Sequence, residues 1–336
     1  MVNRLLIYER LSAFIYQQYT INQHATCYNR FLRLSRKGYS QPRLKKWFMQ
    51  SIAVFISPHG FGHAARASAV MLALRARQPE LGFEIFTRVP DWFFRETLGQ
   101  GYGYHSLLTD IGMAQRTPTE EDANETLRRL KGFLPFSDML LDRLAAELLA
   151  LDCRQVLCDI SPLGIAAARQ AGLPAVLVEN FTWDWIYAAY LHEASGLAEP
   201  MAALRQIFAQ ANVHIQTEPV CNPQPGVDLV VGPMARPPRT AADAMRRRMG
   251  VPQEKKVVLI TLGGIEGRVA VSEKLAQVDD LFFVVPGAAA KMECRPNQLL
   301  LPHHSGFYHP DLLYASDAVA GKPGYSTLAE AYAAGI

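Results

Sequence analysis

The 336-residue sequence contains no uninterrupted apolar run near the roughly 18 residues that a membrane-spanning helix needs, and its longest apolar runs are strand-sized. An integral membrane protein is therefore not expected. Cysteine is sparse: five residues, at positions 27, 153, 158, 221 and 294, odd in number and without a Cys-x-x-Cys spacing. That pattern argues against a disulfide framework, a zinc ribbon or dithiol chemistry, and fits reduced thiols in a cytoplasmic setting. No Asp-x-Asp pair is present to hold a divalent cation. His303, His304 and His309 form a conceivable metal cluster, weighed against a merely histidine-rich loop, and neither a metal nor a cofactor is expected. Short repeats and low-complexity tracts are also missing. The net charge of +3 is too small for a strongly basic nucleic-acid binder, and no nucleic-acid partner is expected.

The charge is unevenly spread. Residues 1–48 carry nine Lys/Arg against one acid. This leader has no small-residue cleavage site, and Arg4, Glu9 and Arg10 interrupt its apolar residues, so a secretory signal fits poorly. Three readings stand: a targeting segment, a basic arm giving peripheral contact with an anionic surface, or sequence upstream of a start at Met49. The last is preferred because Met49 stands just before the first strand.

From Ser51 onward, short β-branched or aromatic runs alternate with helical stretches, the pattern of βαβ units and a mostly parallel sheet. Strands are expected at Ile52–Ser57, Phe83–Thr87, Tyr104–Leu108, Gln155–Ile160, Ala175–Glu179 and Val213–Gln216. Helices are expected at His63–Arg77, Pro135–Ala150, Leu163–Ala171 and Met201–Gln210. The stretch Pro219–Pro238 holds six prolines and two glycines and breaks the rhythm. After the charged helix Ala241–Met249 a second series follows, with strands at Lys256–Leu262, Leu281–Pro286, Gln298–Leu301 and Ala318–Ala320 and a helix at Ser326–Ala334. The fold class is α/β with two Rossmann-like domains, 49–218 and 239–336, joined by a linker at 219–238. Gly335 reads as a helix C-cap after which another strand should follow, so the second domain is expected to be incomplete.

Two kinds of loop carry chemistry. Ser57-Pro-His-Gly-Phe-Gly-His-Ala-Ala-Arg66 lies between a strand and a helix, where glycines let the backbone approach a ligand and a helix N-terminus offers free N–H groups. Gly60-x-Gly62-x-x-Ala65 also satisfies a dinucleotide fingerprint, but Thr87-Arg88 stand where its acid belongs, so an NADP oxidoreductase is kept as a minor alternative. His59 and His63 are either packing residues or chemistry. Asp159, at the end of a neighbouring strand, is either an N-cap for the next helix or the carboxylate that orients a general-base histidine. Asn180-Phe-Thr-Trp-Asp-Trp-Ile-Tyr187 offers Trp183 and Trp185 as rings to stack on a sugar, or as core, with Asn180 and Asp184 to bond hydroxyls. In the second half, Gly263-Gly264 follows a strand and Lys322-Pro-Gly-Tyr-Ser-Thr-Leu-Ala-Glu330 opens a helix. Gly324, Ser326 and Thr327 suit a diphosphate, Lys322 adds charge, and Glu330 is placed for a ribose diol. The plainer reading makes Ser326 and Thr327 caps and Glu330 one exposed helix acid.

These residues resemble the GT-B glycosyltransferases, in which two facing Rossmann domains enclose the substrate cleft. Gly324-Tyr-Ser-Thr-Leu-Ala-Glu330 is similar to the donor helix of UDP-glycosyltransferases and of the peptidoglycan GlcNAc transferase, and Gly62-His63 to their first-loop Gly-His. A closer resemblance, over most of Met49–Ile336, is to the glycosyltransferase-like module that stands alone in bacteria and precedes the kinase in plant L-arabinokinases. It rests on His59-Gly-Phe-Gly-His63-Ala-Ala-Arg66 and on Asn180–Tyr187. No sugar-kinase domain follows here, and Lys322 stands where plant enzymes have histidine. The resemblance implies inverting transfer from a nucleotide-diphosphate sugar, a UDP-sugar, to a hydroxyl acceptor, with His63 as base and Asp159 as its support. His59, Phe61, Asn180, Trp183, Asp184 and Trp185 would meet the acceptor. Gly60, Gly62, Gly263, Gly264, Lys322, Gly324, Ser326, Thr327 and Glu330 would meet the donor. A non-catalytic nucleotide-sugar-binding module is the second reading.

Overall fold

The computed structural model describes residues 51–117, 120–261 and 273–336. The leader 1–48 and the pair Gly263-Gly264 lie outside the described residues. Chain order begins with strand β1 (Ser51–Ile56), all six residues buried. Its length and continuous burial are those of a central parallel strand covered on both faces. Side chains alternate, so Ala53 and Phe55 enter one core, with Phe86, Leu144, Leu163 and Tyr187. Ile52, Val54 and Ile56 enter the other, with Val70, Ile85 and Phe94.

Around β1 the chain builds α1 (Gly62–Arg77), β2 (Gly82–Thr87), α2 (Asp91–Leu98), β3 (Tyr102–Ser106), the hairpin β4 (Gln115–Thr117) and β5 (Glu120–Glu121), α3 (Ala123–Phe133) and α4 (Asp138–Ala150). There follow β6 (Cys153–Asp159), α5 (Pro162–Gln170), β7 (Ala175–Glu179), α6 (Trp183–Ala188), α7 (Ala198–Phe208), β8 (Val213–Thr217) and β9 (Leu229–Val231). Seven strands form one sheet in the order β3-β2-β1-β6-β7-β8-β9, every pairing parallel. The short apolar run Leu229–Val231 is the edge strand of this sheet, so the crossover to the second domain starts after it.

The second domain holds α8 (Ala242–Arg248), β10 (Lys256–Thr261), β11 (Leu281–Pro286), β12 (Glu293–Arg295), β13 (Gln298–Leu301), α9 (His309–Tyr314), β14 (Ala318–Gly321) and α10 (Tyr325–Ala334). Its sheet runs β12-β13-β11-β10-β14, parallel except for the antiparallel edge pair β12/β13. Both sheets reverse their winding beside their first strand, between β1 and β6 and between β10 and β14. Such reversals leave a crevice at the carboxyl ends of the strands, where open α/β sheets bind ligands.

The sequence placed β3 two residues late, because the half-buried edge strand begins at Tyr102, in register with Phe83. The expected helix 135–150 starts at Asp138, where the Ser137 hydroxyl caps it by accepting the Leu140 N–H. The short helices α2, α6 and α9 span two turns or fewer, too little for a helical period to stand out. Among the described residues no helix is long and apolar enough to cross a membrane.

Candidate active site

His63 is the second residue of α1 and Asp159 the last of β6. Because Ile56 of β1 lies in register with Asp159, the turn after β1 carries the histidine back over the carboxylate. His63 Nδ1 and Asp159 Oδ1 are 2.9 Å apart. The next residue, Ile160, is buried with φ of +44°, a left-handed conformation that a β-branched side chain adopts only at a cost of about 1–3 kcal/mol. That turn follows Asp159 at the carboxyl end of β6, where the carboxylate is buried behind His63. Asp159 does not cap the following helix: Ser161 does, its hydroxyl oxygen accepting the Gly164 N–H. With Nδ1 bonded to the carboxylate, Nε2 is the imidazole nitrogen free to meet a ligand in the cleft that His63 lines.

Asp159 has a second partner. Arg66, one helical turn beyond His63 on the same face of α1, donates from Nε to Oδ2 at 2.8 Å and from Nη2 to Oδ1 at 2.7 Å, and from Nη1 to Asn180 Oδ1 at 2.6 Å. Both Arg66 and Asp159 are buried. Burial alone would raise the Asp159 pKa, but the Arg66 guanidinium outweighs it and holds the carboxyl below its ordinary range. The face of Arg66 lies under the Tyr325 ring of the second domain, 4.7 Å from its centroid. The i, i+3 spacing from His63 was the only sequence signal of this role.

His59 is half-buried, edge-on to Trp183 with centroids 5.2 Å apart. Burial, then the nearby His63 and Lys322, push its pKa down to about 3, so it is neutral at physiological pH and a weak base. Its ring rests on Gly112, which has φ of +64°, and any Cβ there would come within 2.8 Å of the His59 Nδ1. Trp183 is buried, stacked on Tyr187 at 5.9 Å, and presents one edge to the cleft. Phe61 packs against Phe93 and Trp92 at the domain junction. Two expectations are corrected. Asp184 turns away from the cleft and pairs with Arg205 on α7 at 3.0 Å, and Trp185 is 38% exposed on the outer surface. Both follow from α6, in which successive side chains are rotated by about 100°, so Trp183 can line the cleft while Asp184 and Trp185 turn off it. Asn180 lines the cleft, but its oxygen is committed to Arg66. Arg88, which an NADP phosphate would require, is exposed and outside the cleft lining.

The second domain faces this wall. Lys322, Gly324, Ser326 and Thr327 line the cleft, and the Lys322 N–H bonds Thr261 O at 3.1 Å. The first turns of α1 and α10 both lack a side-chain cap, which leaves N–H groups of two helix N-termini open toward the same space. They approach closely: a Cβ on Gly62 would lie 3.1 Å from Ser326 Oγ. Gly60 and Gly62 line the cleft, Gly62 beside the start of α10. Glu330 is not an exposed helix acid. It is buried, accepting from Arg236 Nε at 2.8 Å and lying 3.1 Å from His309 Nδ1. Burial would raise its pKa, yet Arg236 and then His309 hold it low. Arg236 comes from the proline-rich crossover, where no sequence pattern marked it. The three histidines do not converge: His304 stacks on Trp92 at 4.6 Å, His303 rests against Gly287, and His309 faces Glu330. Among the described residues no group of three potential ligands gathers for a metal. The whole cleft measures about 450 Å³.

A cleft between two Rossmann-like sheets is the GT-B architecture. No protein-family model matches the chain. In sequence it is similar to L-arabinokinase of Arabidopsis thaliana, 27% identical over 285 residues, which cover 83% of this chain and 27% of that protein. It is 29% identical over 119 residues to an uncharacterized glycosyltransferase of Methanopyrus kandleri, 33% of each chain. The chain thus spans about a quarter to a third of the length of these curated relatives. Among solved structures it is similar to Phytolacca americana UGT2 with UDP-2-fluoro-glucose and pterostilbene (TM-score 0.54, 12% identity, 85% of this chain and 79% of that one). It is also similar to Arabidopsis thaliana UGT89C1 with UDP-L-rhamnose (TM-score 0.55, 11% identity, 86% and 78%). The chain has the GT-B fold.

Proposed function

We propose that the protein transfers a sugar, with inversion, from a UDP-sugar to a hydroxyl acceptor. The observation that carries the reading is His63 on the wall of the cleft that faces the open N-terminus of α10, with buried Asp159 2.9 Å from its Nδ1. The acceptor hydroxyl oxygen attacks the anomeric carbon as its proton passes to His63 Nε2. The new C–O bond forms on one face of the sugar while the bond to the diphosphate breaks on the other. The leaving UDP takes the bonding electron pair, and the α10 N–H groups with Lys322 meet its charge. Trp183, Phe181 and Tyr190 wall the acceptor side. Support for the donor side comes from the UDP and UDP-sugar bound by the structurally similar enzymes.

One observation favours the second reading, a nucleotide-sugar-binding module without turnover. Asp159 is held by Arg66 as well as by His63, and Glu330 by Arg236 and His309, so both acids already have cationic or imidazole partners. UDP release from UDP-glucose and other UDP-sugars, measured with and without a mixture of hydroxyl acceptors, separates the two. Turnover that His63→Ala abolishes while UDP still binds supports transfer. UDP binding with no turnover for any donor supports the module. Tight NADPH binding without UDP binding would overturn both.

A further inference from the structure

We propose that Arg66 is a positioning residue whose contact with Tyr325 makes the His63–Asp159 pair respond to occupation of the nucleotide subsite. The inference rests on the UDP reading above and adds a coupling to it. Three N–H groups of one buried guanidinium are spent inside the first domain, two on Asp159 and one on Asn180. Its face is covered from the other domain by Tyr325, the first residue of α10. A planar guanidinium bound through its fork cannot move without moving the carboxylate that it grips. That carboxylate is also what holds His63 Nδ1.

Tyr325 is fixed in turn. Its hydroxyl accepts the Met234 N–H at 3.0 Å, in the crossover between the domains, so one ring touches the donor helix, the crossover and the first domain. Beside it the two helix starts come close, since a Cβ on Gly62 would lie 3.1 Å from Ser326 Oγ. A diphosphate at the α10 N-terminus fills the space between these starts and fixes the second domain against the first. The contact of Tyr325 with Arg66 is then held in place, and Arg66 fixes Asp159 and the ring of His63. The acceptor base is ordered when the donor is present, which favours donor binding before acceptor binding.

The test uses the full chain with selectively labelled histidine and UDP as the probe. The His63 Nδ1–H resonance is followed by NMR, and UDP affinity by calorimetry. In the parent, saturating UDP slows exchange of that proton with water by roughly tenfold or more. Tyr325→Phe keeps the ring over Arg66 but loses the bond to Met234, and shows a response smaller than the parent's and larger than that of Tyr325→Leu. Tyr325→Leu and Arg66→Lys bind UDP within a few-fold of the parent and lose it. A purely structural role for Arg66 predicts the same protection with and without UDP. A response in Tyr325→Leu equal to that of the parent overturns the proposal. So does a loss of UDP affinity beyond about tenfold in Tyr325→Leu, which would make Tyr325 a donor contact instead of a relay. If the parent fails to bind UDP, the donor reading itself falls and takes the coupling with it. If the parent binds UDP without a change at His63, only the coupling falls.

Discussion

Asp110 offers a prediction in which sign and size both follow from the structure. It lies in the segment between β3 and β4 that supports His59 and Trp183, and it is buried. Oδ1 accepts the Ile111 N–H at 2.7 Å. Oδ2 is buried without a partner, as are Ser57 Oγ and Trp183 Nε1, which stand near the carboxyl but outside hydrogen-bond geometry. Burial raises its pKa to about 7, against the partial opposition of the Ile111 N–H and of Ser57 and Trp183. The folded state therefore binds this proton more tightly than the unfolded chain, whose carboxyl titrates near 3.8. Stability falls as pH rises between those values and levels off above about 7, at a total cost on the order of 4 kcal/mol. Asp110→Asn removes the titration and keeps the shape. Urea unfolding of parent and variant from pH 5 to pH 8 should show the parent losing roughly 2–3 kcal/mol relative to the variant across that range, most of it below pH 7. Parallel stability curves across the range would refute the reasoning, because Asp110 would then titrate alike in both states.

Arg236 and Glu330 are a buried pair joining the crossover to α10, so Arg236→Met alone should cost about 3–5 kcal/mol by removing the carboxylate's cationic partner. The double change with Glu330→Leu should recover much of that in the same urea assay. Gly112→Ala meets both a left-handed backbone and the ring of His59, and should lower stability by about 1–3 kcal/mol, with a shift of the His59 ring signals in the NMR spectrum. Asp184→Asn and Trp185→Ala should leave UDP affinity and turnover within about twofold, since Arg205, the partner of Asp184, is mostly exposed and such pairs contribute little. A larger loss in calorimetry or in turnover would return those residues to the site.

Much of this arrangement is legible in the sequence. The buried strand Ser51–Ile56, the glycine turn after it and the helix opened by Gly324 all announce themselves through local pattern, and local pattern is what a parallel α/β sheet amplifies. His63 and Asp159 could be named because topology alone brings the carboxyl ends of β1 and β6 together. What could not be read was partnership. Arg66 lies inside the motif one turn from His63, but its bonds to Asp159 and Asn180 span 93 and 114 residues, and that spacing names neither partner. The same holds for Arg236, hidden among prolines and paired 94 residues away. Asp184 and Trp185 were misplaced for the opposite reason: the tryptophan–acid run looks like a sugar platform as a string, but a short helix turns only Trp183 inward. Glu330 was read as either a ribose ligand or a solvated acid, and its burial against two cationic or imidazole partners was visible in neither.

The decisive measurement is UDP release from a UDP-sugar by the parent and by His63→Ala, paired with the UDP affinity of each. If His63 takes the acceptor proton, the variant binds UDP as tightly as the parent and loses about 10²–10⁴-fold in kcat, while His59→Gln, which changes a neutral ring, loses far less. Turnover in His63→Ala equal to that of the parent, or a larger loss in His59→Gln, would contradict it.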